Sequence, residues 1–189
     1  MNINRNLLVV LGTACAYGLL FELNRVLFSS FAFSSSVDWI FLPSGLRLAF
    51  ILVFVQWGAV GVAIASALLT YFFQTDESIV NALLTGAISG LGPLLARQVC
   101  IDRLKLDAHL RDLNTATLIK TAAVFALFSS LLHQVWYTWI GQTSRFIDAT
   151  IAMATGDFLG TVIVLYAAKF VLTNILPSVA IDAEEADLN

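Results

Sequence analysis

Charge is what this chain has least of. Asp, Glu, Lys and Arg make up 12% of its 189 residues, where an ordinary soluble domain carries roughly a quarter. Chemistry-bearing residues are also few: two histidines, His109 and His133, and two cysteines, Cys15 and Cys100. No His, Cys, Asp or Glu group has metal-ligand spacing, so no metal site is expected. Cys15 lies in the first apolar run and Cys100 just past the fourth, which argues against a disulfide. There is no basic surface for nucleic acid. The net charge of −3 resides mostly in the last dozen residues. Pro43-Ser44-Gly45 sets a serine beside a glycine, but no base is predictably in reach, so the chain is not expected to be an enzyme.

What is present is apolar. Hydrophobic residues are 59% of the chain and the mean hydropathy is +0.85, which makes a lipid bilayer the solvent. The runs are continuous and of helix-spanning length, unlike the alternating segments of a β-barrel. Six helices are expected, at about 7–23, 39–55, 59–73, 79–96, 118–140 and 149–172. The fold class is therefore an all-α, polytopic helical bundle. Residues 1–175 form the transmembrane domain, and 176–189 an acidic, disordered tail. The basic Arg5 followed by an apolar run with Ala14-Cys15-Ala16 has the outline of a signal peptide. Gly12 spoils the lipoprotein version, and the segment is retained as helix one.

The serine-rich stretch 26–38 is too interrupted to span, and is either re-entrant or interfacial. Gln56-Trp57-Gly58 is expected to be a tight turn between helices two and three. Small residues every fourth position, Ala59, Ala63 and Ala67, then Ala152, Gly156 and Gly160, mark faces for close helix packing. Pro43 suits a first helical turn, and Pro93 is expected to kink helix four. The mixed-charge loop 97–115 and these helix faces are the candidate surfaces for a partner protein.

Lys and Arg near the helix ends fix orientation. With the N-terminus in the cytoplasm, Arg5, the group from Arg97 to Lys120, and Lys169 lie inside. Arg25 and Arg145 lie outside. Both termini are then cytoplasmic.

Arg47 is the costly residue. At the centre of a spanning helix an arginine costs on the order of 3 kcal/mol, and such residues face a protein interior with a partner. Counting about 1.5 Å per residue from each helix end puts Glu22, Arg47, His133 and Asp157 at similar depth in the outer half. They are expected to form one polar cluster, with Arg47–Asp157 as the ion pair and Glu22 and His133 around it. Trp136 and Tyr137 share the face of His133. The cluster either binds a ligand or only fixes helix register. Glu22 and Arg25, three residues apart, are alternatively an interfacial pair.

Two stretches resemble membrane-associated sensor (MASE) domains of the first type. One is Phe41-Leu-Pro43-Ser-Gly45-Leu-Arg47-Leu-Ala49 with the small-residue helix after it. The other is Gly156-Asp157-Phe-Leu-Gly160 with its aliphatic run. The resemblance implies a bacterial inner-membrane sensor that passes a signal to a kinase, cyclase or phosphodiesterase module. Such domains usually have about eight helices, and here no output module follows. A shortened, stand-alone relative acting through a separate partner is what it implies. The expected function is accordingly a small sensor that binds a ligand or signals through a partner. A small-molecule transporter or substrate-binding subunit, and an accessory subunit within a larger complex, are the alternatives.

Overall fold

The computed structural model describes residues 3–34, 36–73, 78–104 and 114–170. The acidic tail, most of the 74–78 loop, and residues 105–113 with His109 lie outside them. Five α-helices make up the described structure: α1 (Ile3–Phe28), α2 (Pro43–Phe73), α3 (Ile79–Leu104), α4 (Thr115–Trp139) and α5 (Phe146–Phe170). Each is long and apolar enough to cross a membrane, and the chain is a multi-pass membrane helical bundle.

Where six helices are expected, the described residues hold five, one of which, α2, consists of two helical arms across a kink. Expected helices two and three are one element, α2, interrupted only at Val55 with φ 48° and ψ −118°. The interruption is severe. A methyl group on Gly58 would strike the Phe50 carbonyl, eight residues earlier, whereas a straight helix would hold the two about 12 Å apart. A β-branched residue at positive φ is a true outlier. Lipid-facing helices offer no polar loop here, so the backbone turns at a single residue.

Packing fixes the direction of the two arms of α2. In the second arm Gly61 meets Val10 and Thr13, while Val62 and Ala65 pack on Tyr17. Phe73 reaches Phe21. Numbers rise together, so this arm is parallel to α1. It is antiparallel to α3, because Gly90 abuts Ala59 and Gly86 abuts Ala67. In the first arm Ser44 meets Asp157, and Gly45 meets Val164. That arm is parallel to α5. Helix α4 runs antiparallel to both α3 and α5, through Trp136–Thr85 and Gln134–Met153.

Residues 29–42 differ from an all-helical reading. Helix α1 continues to Phe28, and a 3-10 turn, Ser29–Phe31, follows. Then come two short antiparallel strands, β1 (Ala32–Ser34) and β2 (Val37–Asp38). Beyond them the chain runs irregularly down the side of α5. Val37 packs against Ala152 and Met153, and the Phe41 N–H donates to the Gly156 carbonyl at 3.1 Å. The first arm, Pro43 to Phe54, is about 18 Å long, well short of the ~30 Å hydrocarbon layer. The irregular segment supplies the missing length.

Helix α3 extends eight residues beyond its expected end, so 97–104 is helix rather than loop. Pro93 sits inside it. The buried faces are narrow and carry the polar groups. In α4, Thr121, Phe125, Ser129, His133 and Tyr137 turn inward, while Leu127, Leu131 and Val135 turn outward. Lipid accepts the outward side chains and the interior holds the hydroxyls.

Gly160→Ala is expected to lose most folded protein, since its methyl would overlap the Phe41 backbone carbonyl, which cannot swing aside. Gly12→Ala in α1 faces open space and is expected to leave the thermal midpoint in detergent unchanged or raised. Equal midpoints for the two variants would contradict this packing.

Candidate functional site

Pro43 opens α2 at its first position, where a missing N–H costs little. Just before it, the Leu42 N–H donates to Asn24 Oδ1 of α1 at 2.8 Å. Helical spacing from this start puts Ser44, Arg47, Leu48 and Ile51 on the buried face. On α5 the same periodicity turns Ala149, Ala152, Met153, Gly156, Asp157, Gly160 and Thr161 inward. Gly156 and Gly160 let α5 touch the backbone at Asp38 and Phe41, and Asp157 is carried inward between them.

Arg47 and Asp157 form the expected ion pair. Arg47 Nη2 donates to both carboxylate oxygens at 3.0 Å, and the side chains are 1% and 0% exposed. Two rings pack on the guanidinium, Phe125 with its centroid 5.2 Å away and Phe41 at 5.8 Å. Aromatic faces hold a desolvated cation by about 2 kcal/mol. Beside the pair, Ser44 Oγ lies 2.7 Å from the carbonyls of Asp157 and Phe41, and it accepts from Thr161 Oγ1 at 3.1 Å. One nitrogen serves both acceptor oxygens, so Arg47 Nε is left without a partner.

His133 is buried nearby. Its Nδ1 is 2.8 Å from the Ser129 carbonyl and its Nε2 is 3.0 Å from Ser89 Oγ. Ser89 is in turn 2.8 Å from Ser66 Oγ. Tyr137 packs on the imidazole at 5.8 Å. Trp136 Nε1 donates to Thr85 Oγ1 at 3.1 Å.

Glu22 is the correction. It does not join Arg47, but accepts from Arg25 at 2.7 Å on the rim of α1 near its C-terminal end, where both side chains are at least a third exposed. A spacing of three residues on one helix gives that local pair an advantage over any distant cation. Counting residues places a side chain by depth but not around the helix axis, and Glu22 is on the wrong side.

Four of the six expected residues, Arg47, Asp157, His133 and Tyr137, line one cavity of about 280 Å³. Its walls include Tyr17, Phe21, Phe41 and Phe73. Its floor adds Ser66, Ser89, Thr70 and Thr85. Arg25, Ser29 and Ser34, exposed at the C-terminal end of α1 and in the segment after it, form the mouth. Ser66 and Ser89 are inconspicuous in the sequence because they sit among alanines and glycines that read as a packing face. Asn24 was hidden between Glu22 and Arg25. Among the described residues no three His, Cys, Asp or Glu side chains stand close enough to hold a metal ion.

Comparison with family models, characterised proteins and solved structures returns no match for this chain.

Removing one partner of a buried pair strands the other charge, at about 3–5 kcal/mol. Asp157→Ala and Arg47→Ala are each expected to lower stability by that amount. The double variant Arg47→Met with Asp157→Leu is expected to regain most of it in thermal unfolding. Additive losses would show that the two side chains do not act as a pair.

Proposed function

We propose that the chain is a membrane receptor for a small ligand, which enters from the outer face and rests on the Arg47–Asp157–His133 floor. The cavity carries this reading. A cavity of about 280 Å³ in which aromatic rings and many polar side chains converge has the size of a small-molecule pocket, with a lining more polar than most. Simple register-fixing needs the ion pair but not the empty space beside it. The signal then passes to a separate partner through the cytoplasmic end of α3 and the segment after it.

The likeness to MASE domains belongs to this proposal. Both stretches that carry it meet at the floor, through Ser44 to Asp157 and Phe41 to Gly156. A bacterial inner-membrane location goes with it. So do six crossings with both termini inside, because the two arms of α2 run in opposite directions.

A transporter is the second reading, favoured by one feature. The first arm of α2 begins beside Asp157 after extended backbone, and broken helices at the binding site are usual in transporters.

Orientation is checked with single cysteines in a chain carrying Cys15→Ser and Cys100→Ala. Gln56→Cys and Asp102→Cys are expected to label from the cytoplasmic side, and Ser34→Cys from the outside. Labelling of Gln56→Cys from outside would rule out six crossings.

Ligand binding is checked on protein purified in mild detergent. Native mass spectrometry is expected to show a retained small molecule on the wild type. Thr70→Phe, which fills the cavity floor, is expected to lose it without lowering the melting temperature. Bare wild-type protein, with a melt unmoved by a broad library of small polar compounds, would end the receptor reading.

A further inference from the structure

The hydrogen bonds around His133 have a direction, and that direction selects the ligand. The Ser129 carbonyl can only accept, so Nδ1 of His133 carries a proton. The ring is buried, and no carboxylate contact to it is among the described interactions. An unpaired buried charge is costly, so the imidazole is neutral and Nε2 is an acceptor. Ser89 must therefore donate its single hydroxyl proton to Nε2 across 3.0 Å. Having none left, Ser89 accepts from Ser66 across 2.8 Å. The proton of Ser66 is thereby spent as well. What Ser66 Oγ offers the cavity is a pair of lone pairs and no donor.

Arg47 is held by its neighbours: its Nη2 is committed to Asp157, and its Nε, though unpartnered, is buried and reaches no open space. The pair as a whole is electrically neutral. An anion on this floor would have to displace Asp157 from the guanidinium or leave two carboxylates sharing one cation.

We propose that the cavity takes a small uncharged molecule carrying an N–H or O–H donor, such as a primary amide, which donates to Ser66 Oγ. This rests on the receptor reading above and narrows its ligand class. The chain of Ser66, Ser89 and His133 acts as a fixed polarity filter. It rejects molecules that present only acceptors, because two lone pairs would then face each other in a desolvated site.

The test uses the full chain in lipid nanodiscs with three probes of matched shape: benzamide, N,N-dimethylbenzamide and benzoate. Benzamide has donor and acceptor, the dimethyl compound lacks the donor, and benzoate lacks the donor and is charged. Wild-type protein is expected to bind benzamide at least about tenfold tighter than either, the factor that one hydrogen bond of about 1.4 kcal/mol supplies. Ser66→Ala is expected to erase that preference. Ser89→Ala is expected to erase it as well, although Ser66 is still present, because Ser66 regains a free proton to donate. Equal binding of the three probes to the wild type, a preference for benzoate, or no binding by any of them would overturn the inference. So would a preference that survives in both variants. If Ser66→Ala fails to fold, the wild-type ranking decides. A retained anion in the mass spectrum would leave the receptor reading standing and defeat this one.

Discussion

The structure depends on a stretch of non-helical backbone placed where helices belong. Between Asp38 and Pro43 the chain descends beside α5 to the level of Asp157. In hydrocarbon an unsatisfied N–H or C=O costs several kcal/mol, so irregular backbone survives only when protein surrounds it. Here the donors are met one by one. Trp39 N–H finds the Phe31 carbonyl, Phe41 N–H finds Gly156, and Leu42 N–H finds the side chain of Asn24. Gly156 and Gly160 are glycines because α5 must lie directly on this backbone. That close approach also brings Asp157 to Arg47, and the first arm of α2 starts where the ion pair is made.

The ion pair and the descent thus support each other. Without the irregular segment, α2 would begin at the level of the strands, and Arg47 would sit in a different register against α5. Without Asp157 the cation at the start of the arm would be unpaired. A buried pair is weak evidence of net stability but a strong constraint on which arrangement forms. Lipid supplies no hydrophobic drive between helices, so polar contacts of this kind and close glycine packing carry the specificity.

Much of the site was legible in the sequence. An arginine within an apolar run announces a partner, and helical counting from both ends placed Asp157 at its depth. The pairing of Arg47 with Asp157 and the presence of His133 and Tyr137 in the same cavity follow from that arithmetic. Azimuth was not legible, because it depends on how each helix is rotated by its neighbours. Glu22 was assigned to the cluster on depth alone and faces the rim. The turn at 56–58 is visible in Gln56-Trp57-Gly58, but its sharpness is not, since the reversal rests on Val55 in a rare conformation. The hydroxyls of Ser66 and Ser89 were masked by their small neighbours, which suit packing whether or not a serine among them makes a hydrogen bond.

The neutrality of the Arg47–Asp157 pair has an electrical consequence. A lone guanidinium at this depth would feel the transmembrane potential, with about 2.3 kcal/mol of work per 100 mV for a full crossing. Joined to Asp157 it moves as a dipole with no net charge. Any rocking of α2 against α5 that keeps the two together transfers no charge across the field. The membrane voltage then acts on the pair only through the reorientation of its dipole, far more weakly than on a single charge carried across the layer.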